Sequence, residues 1–363
     1  MIEIEDVYAK IEEHKKKGLP FVIYRKGKSD IVKAFLQQDK THYDVNYMDS
    51  GFIFSPFDHA EKGVFFPVKK STYIEAKFKP TEFPSGSKSI GQNNPSKNKH
   101  DKDEHISLVK EGIKEIQSGV CSKIVLSRKE ELSIIEKPDH LLIFKQLLKL
   151  YANAFVYYWY HPEIGVWIGA TPETLLYVKG NRLETMSLAG TQSFIPNEIV
   201  EWRHKEKEEQ KMVTDFIIEE LSPLVKSIET SDTYTHRAGS LLHLRTDIVA
   251  VLDSKKSDLQ QVISILHPTP AVCGVPKKSA KSFIEEHESY DRKFYTGYLG
   301  EINLESKEGI VSNVFVNLRC MEVQDQKAIL YVGGGITKDS DPEQEWKETI
   351  RKTETMKRAM VSL

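Results

Sequence analysis

The stretch GVWIGATPETLLYVKGNRLETMSL, residues 165–188, carries the clearest fold signal in the chain. Gly165 to Ile168 leads into Thr174 to Val178, Lys179-Gly-Asn181 makes a turn, and Arg182 to Leu188 returns. That spacing predicts antiparallel pairing in two hairpin-like units. Further along, Tyr298 to Ile302, Ile310 to Val323 and Ala328 to Val332 repeat the pattern as three β runs with short polar connections. Helical spacing is confined to separate segments. Val109, Ile113, Ile116 and Val120 define one, ended by Gly119 before a strand over Cys121 to Arg128; a second spans about Lys205 to Leu221, and a third runs from Pro342 to about Val361. Segregated strands and helices without a recurrent βαβ unit predict an α+β architecture.

The chain has 363 residues, with 51 Lys+Arg against 53 Asp+Glu and a formal net charge of −2, which excludes a polybasic wrap for nucleic acid as its main business. Residues 1–82 hold short β-rich patches, Leu19 to Tyr24 and Gly51 to Phe54, expected to join the main fold. Residues 83–104 turn to Ser, Gly, Asn, Lys and Asp and predict a polar flexible linker, leaving 105–363 as the domain that carries the chemistry. The acidic start Met-Ile-Glu-Ile-Glu-Asp lacks a basic, then apolar, leader, so a cytoplasmic protein is expected. The longest wholly apolar run, Phe155 to Tyr160, is far short of the roughly 18 residues that suggest a membrane span. Cys121, Cys273 and Cys320 have no paired spacing and read as reduced core thiols.

Charged residues placed among apolar ones are the chemical candidates. In the last helix Asp341 is a good N-cap, with Pro342 at the first helical position and Gln344 as a capping partner. At about 100° per residue, Glu345, Glu348 and Lys352 continue the stripe of Met356, Ala359 and Leu363. They form either a solvated ion-pair face or, if buried, charges that must be paired, neutral or metal-bound. Glu209 likewise leads into Met212, Val213 and Phe216. Three glutamates at the ends of two helices would suit Mg²⁺, which prefers oxygen ligands; an ordinary acidic surface fits equally.

Lys123 shares its strand face with Val125. Burial there disfavours the charged amine and would make it a general base, whereas a lysine at a strand end can also simply reach water. Glu173 follows Gly169-Ala-Thr-Pro, a turn that either aims it into a cleft as a general acid or leaves it exposed. Gly190-Thr191 and Gly333-Gly-Gly335 follow β runs and could let backbone N–H groups approach an anion, or be plain turns. Leu266-His-Pro-Thr-Pro-Ala-Val-Cys-Gly-Val-Pro276 predicts a rigid, partly buried loop from which His267 could donate into a site or serve structure alone. Arg319 lies on a run that otherwise reads as core and wants a carboxylate, from protein or ligand.

In order, Lys123-Ile-Val-Leu-Ser-Arg, Ala170-Thr-Pro-Glu, Leu188-Ala-Gly-Thr, Leu266-His-Pro-Thr-Pro, Tyr295-Thr-Gly, Arg319, Gly333-Gly-Gly-Ile and Ser340-Asp-Pro-Glu-Gln-Glu-Trp-Lys-Glu resemble the chorismate-utilising enzymes from about residue 105 to the end. The resemblance implies two central antiparallel β-sheets flanked by helices around a buried Mg²⁺-dependent site. It makes Glu209, Glu345 and Glu348 the metal face. Gly190, Thr191, His267, Tyr295, Arg319, Gly333, Gly335 and Lys352 become the binding pocket for the dianionic substrate chorismate. Lys123 matches the position where members that use water carry a lysine base, and Glu173 becomes the acid for the departing C4 hydroxyl. Ala189 stands where aminodeoxychorismate synthases carry a lysine nucleophile, which argues against that branch. The His267 loop resembles isochorismate synthases, while Tyr295 also resembles a tyrosine of salicylate synthases. Gln210 replaces the histidine that follows the glutamate in many relatives. The implied activity is isochorismate synthesis for menaquinone or a siderophore, by a monomer without an amidotransferase subunit. Salicylate synthesis and a non-catalytic chorismate-binding subunit are the alternatives.

Overall fold

β-Strands buried on both faces need a covering layer on each side, and the chain meets that need by stacking two sheets between helices. The computed structural model describes residues 2–58, 61–79, 95–134, 138–196, 198, 200–238, 241–307 and 309–361. In chain order the elements are α1 (Ile4–Lys16), β1 (Phe21–Arg25), β2 (Ile31–Gln37), β3 (Gly51–Ser55), β4 (Val64–Pro67), β5 (Ser71–Lys77), α2 (Pro95–Gln117), β6 (Lys123–Ser133), α3 (His140–Leu150), β7 (Phe155–His161), β8 (Gly165–Thr171) and β9 (Thr174–Lys179). There follow β10 (Arg182–Ser193), α4 (His204–Leu221), β11 (Val225–Thr230), β12 (Tyr234–Ala238), β13 (Leu241–Leu252), α5 (Leu259–Leu266), β14 (Gly274–Val275), α6 (Lys277–His287), β15 (Tyr298–Ser306), β16 (Gly309–Val316), β17 (Cys320–Val323), β18 (Lys327–Ile336) and α7 (Pro342–Val361).

One sheet has the order β14-β6-β18-β17-β8-β7-β1-β2-β5, and the other β11-β13-β10-β9-β16-β15-β3-β4 with β12 also on β13. Neighbouring strands pair antiparallel, as in β18 on β6 and β10 on β13. Period-two alternation sorts the side chains into layers. Tyr157 and Trp159 of β7 join Tyr24, Phe52, Phe54 and Trp167 between the sheets, while Val156 and Tyr158 face outward onto α3 and α7 through Leu147, Met356 and Ala359. Ile53 and Leu183 of the second sheet meet Val213, Ile217 and Val262 of α4 and α5. Each fully buried apolar side chain contributes about 1.5–3 kcal/mol, so the six-residue apolar run that is too short for a membrane is a doubly covered central strand. Among the described residues no helix is long and apolar enough to cross a membrane.

Several expectations change. The N-terminal segment opens with a helix, and its strands join both sheets, β1 pairing with β7 and β3 with β15. The polar stretch read as a linker over 83–104 is helical from Pro95 onward; its earlier part lies outside the described residues. The first hairpin is absent, because β8 pairs with β7 and β17, whereas β9 and β10 do form one, with Lys179 opposite Arg182. The β run over 310–323 breaks after Val316, giving β16 to one sheet and β17 to the other. All three cysteines are free and buried.

Candidate active site

Two of these changes build the site. The chain crosses from the first sheet to the second between β8 and β9, at Pro172-Glu173, and from the second to the first between β16 and β17, at Asn317-Leu318-Arg319. The crossings are stitched together: the Val316 N–H donates to the Glu173 carbonyl at 3.0 Å and the Ala170 N–H to the Arg319 carbonyl at 3.0 Å. The Thr171 hydroxyl donates to the Val316 carbonyl at 2.6 Å. Arg319 takes a left-handed backbone (φ +47°), a conformation that costs a non-glycine residue about 1 kcal/mol or more and is held only where neighbours impose it. Arg319 thus sits on a loop between sheets and not within a core strand as its sequence context suggests.

A cavity opens at this junction, lined by Glu173, Gly190, Thr191, Glu209, Tyr295, Arg319, Gly333, Gly335, Glu348 and Lys352. The glycines do not follow strands as expected but lie inside them. Gly333 and Gly335 lie opposite Ser127 and Val125 of β6, whose own N–H groups bond elsewhere, to Glu288 and to the Cys273 carbonyl, and neither glycine has room for a side chain. A Cβ on Gly335 would stand 2.5 Å from Glu209 Oε1 and 2.9 Å from Lys123 Cε; one on Gly333 would stand 3.1 Å from Tyr295 Oη. Gly190 sits at a bulge of β10 with φ +68°, where glycine adopts the conformation at no steric cost.

Lys123 stands behind Gly335, wholly buried, in an ion pair with Glu209 at 3.0 Å. That contact lacks hydrogen-bond geometry, and Nζ has no hydrogen-bond partner, so its directional capacity is unspent. The amine starved of water that the sequence predicts is present, but it has a carboxylate for company. Burial pushes the Glu173 carboxyl up to about 7 despite Lys123, Arg319 and Lys352 nearby. It is a buried acid able to hold a proton near neutrality. Arg319 is held below the usual guanidinium range by burial, and among the described residues no ion pair or hydrogen bond engages its guanidinium. Lys352 donates to the Gly333 carbonyl at 2.8 Å and pairs with Glu348 at 2.6 Å.

Three carboxylates gather behind Gly334 and Gly335. Glu345 Oε2 and Glu348 Oε1 would lie 3.3 and 3.7 Å from a Cβ on Gly334. Burial, then the Glu348 charge, raises the Glu345 carboxyl. Burial also works to raise Glu348, but Lys352 and Lys205 outweigh it and hold that carboxyl low. Each glutamate meets a lysine: Glu209 with Lys123, Glu348 with Lys352, and Glu345 with Lys205 at 2.6 Å. The donors are all oxygen and negatively charged, which suits a hard divalent cation that retains waters. Glu209 and Glu348 reach the cavity, whereas Glu345 stands one layer behind, and the three oxygens are not drawn within 4.8 Å of one another.

His267 is not brought to the cavity. Its Nε2 contacts the Phe57 carbonyl at 3.3 Å and its ring packs edge-on against Tyr298; the loop presents Ala271 and Val272 to the cavity instead. Gln210 turns away as well, its amide held by Ser187, Thr214 and Thr246. In its place the site has His243, which the sequence reading missed. Its Nδ1–H donates to the Gly190 carbonyl at 2.9 Å, burial and then Arg319 push its pKa down to about 3, and Nε2 has no hydrogen-bond partner. A neutral imidazole therefore presents a lone pair beside the cavity. A polar residue inside Leu241-Leu-His-Leu244 was the available signal. Arg292 was missed too: it donates to the carbonyls of Val125 and Val272 and pairs with buried Glu288, fixing the loop to β6.

An acid, an amine, an unengaged guanidinium and clustered carboxylates at the junction of two antiparallel sheets define a class, and the chain belongs to it: it is a member of the chorismate-binding enzyme family, whose pattern matches residues 68–361. Isochorismate synthase MenF of Escherichia coli is 29% identical over 253 residues, covering 68% of this chain and 57% of that protein. DhbC, the isochorismate synthase of Bacillus subtilis, is 28% identical over 270 residues, covering 69% and 66%. The chain thus matches less than two thirds of the length of these relatives. In fold it is similar to the crystal structure of E. coli MenF, described as menaquinone-specific, with a TM-score of 0.79 at 22% identity over 94% of this chain and 88% of that one. Anthranilate synthase component I from Streptococcus pneumoniae shares the fold with a TM-score of 0.66 at 17% identity, over 93% and 90%.

Proposed function

We propose that the protein is an isochorismate synthase, an isomerase that converts chorismate to isochorismate with Mg²⁺. The observation that carries this reading is the pairing of a buried, proton-holding Glu173 with a buried Lys123 whose nitrogen has no hydrogen-bond partner, beside a cavity whose cations suit a dianion. Lys123 takes the proton of a water that attacks C2, and Glu173 gives its proton to the C4 hydroxyl as that group leaves; the double bonds shift between them. Arg319, with no protein anion engaging it, receives one substrate carboxylate, and Lys352 supports the other end of the site. Glu209 and Glu348, with Glu345 behind them, would hold the cation, which would supply positive charge to a substrate carboxylate. Lysine at position 123 supports water as the nucleophile and so action without an amidotransferase subunit, and alanine at 189 speaks against aminodeoxychorismate synthesis; a cytoplasmic monomer is part of the same proposal. The product would serve menaquinone synthesis, for which the similar E. coli structure is described as specific, or siderophore synthesis.

The test is incubation with chorismate, with and without Mg²⁺, and separation of products. Isochorismate formed only with the cation is expected. Free pyruvate would assign salicylate synthesis instead, and binding without conversion would leave a chorismate-binding subunit.

A further inference from the structure

Away from the cavity, three metal-ligating side chains converge at the end of β7. His42 lies between β2 and β3, His161 is the last residue of β7, and Glu163 is in the turn to β8. One ligand atom of each lies within 4.8 Å of the other two. His42 is already oriented: its Nε2–H donates to the Gly63 carbonyl at 3.1 Å, which leaves Nδ1 with its lone pair, 3.9 Å from Glu163 Oε2. A backbone carbonyl on the far nitrogen is how metal-binding imidazoles are commonly aimed. His161 is fully buried. Its Nε2 makes no well-formed hydrogen bond, with only the Thr41 backbone beside the ring, and Nδ1 receives a long 3.3 Å donation from the Glu163 N–H.

An ion pair between His42 and Glu163 would account for two of these residues and leave the buried His161 ring with only weak backbone contacts. A polar atom buried without a partner is costly and is retained where something meets it. The side chains of His42 and Glu163 are 23% and 65% exposed, so a cation reaches the cluster from solvent and the glutamate is free to close the remaining distance. We propose that His42, His161 and Glu163 hold one divalent transition-metal cation of the zinc, cobalt or nickel type, with water completing its coordination. Two imidazoles and one carboxylate select such a cation over Mg²⁺, which prefers oxygen alone. Bound there, it fastens the segment after β2 to the β7–β8 turn. This site is independent of the proposed activity.

The experiment is titration of the full chain, free of any affinity tag and in excess Mg²⁺, with Co²⁺, following the visible absorption band of the bound ion. One equivalent is expected, with a rise in melting temperature. Cu²⁺ or Ni²⁺ at the same site should quench part of the tryptophan fluorescence, because the Trp159 ring lies 6.1 Å from that of His161. His42→Ala and Glu163→Gln, both at accessible positions, should each weaken binding at least about tenfold, with circular dichroism confirming that each variant is folded. Absence of stoichiometric binding at micromolar Co²⁺, equal affinity in both variants, or displacement by Mg²⁺ would overturn the site.

Discussion

Glu173 is the residue on which chemistry and stability pull in opposite directions. Its carboxyl titrates at about 7 in the folded protein, against the ordinary 4.5 of a solvated glutamate. Between those values the folded chain holds a proton that the unfolded chain has released, so stability falls as pH rises through this window and the loss is complete above about 7. At roughly 1.4 kcal/mol per pKa unit, the loss is on the order of 3 kcal/mol. Glu173→Gln should therefore raise the melting temperature at pH 8 and leave it nearly unchanged at pH 4, while turnover falls by about 10²-fold or more. Thermal melts at both pH values check the first part; equal melting at pH 8 would deny the buried, proton-holding state. The wild-type rate should decline above about pH 7 as the acid is lost. Lys123→Ala should abolish turnover in a folded protein, and a retained rate would remove it as the base. The sequence singled out Lys123 as a charged group on an apolar strand and Glu173 as a carboxyl at a turn between two β runs. His243 and Lys205 were harder to read, since one depends on a partner in another strand and the other on a glutamate 140 positions away.

Among the elements, β18 and α7 form the site jointly: Lys352 reaches back to the Gly333 carbonyl, and Glu345 and Glu348 press toward Gly334. Gly335→Ala would drive a methyl group into Glu209 and Lys123. It is expected to remove activity and weaken Mg²⁺ binding while the circular dichroism spectrum stays that of the wild type; unchanged activity would show that the close approach does not matter. Arg292→Ala should destabilise the chain by about 3–5 kcal/mol, because it strands the buried Glu288 carboxylate, and chemical denaturation measures this. The helices were legible from capping and spacing: Asp341 does accept from the Gln344 N–H. The crossings were not. Apolar character runs on through residues 310–323, and nothing in a period-two pattern marks where a strand changes sheets; the left-handed turn at Arg319 has no glycine to announce it.

At the scale of the whole molecule, two sheets enclose an aromatic core and deliver Glu173 and Arg319 to one junction by two separate crossings. The α+β class followed from local pattern, and the layering was implied by resemblance. Strand order is set by pairings between distant segments, such as Tyr24 with Tyr157 and Phe54 with Leu299, and no local rule contains them. The architecture brings an amine on β6 and an acid from the β8–β9 crossing to the same junction. Its most direct test is conversion of chorismate in water enriched in oxygen-18, with mass analysis of the product. Water attack at C2 predicts isochorismate carrying one heavy oxygen from solvent in its new hydroxyl group; product formed without that label would contradict the roles given to Lys123 and Glu173.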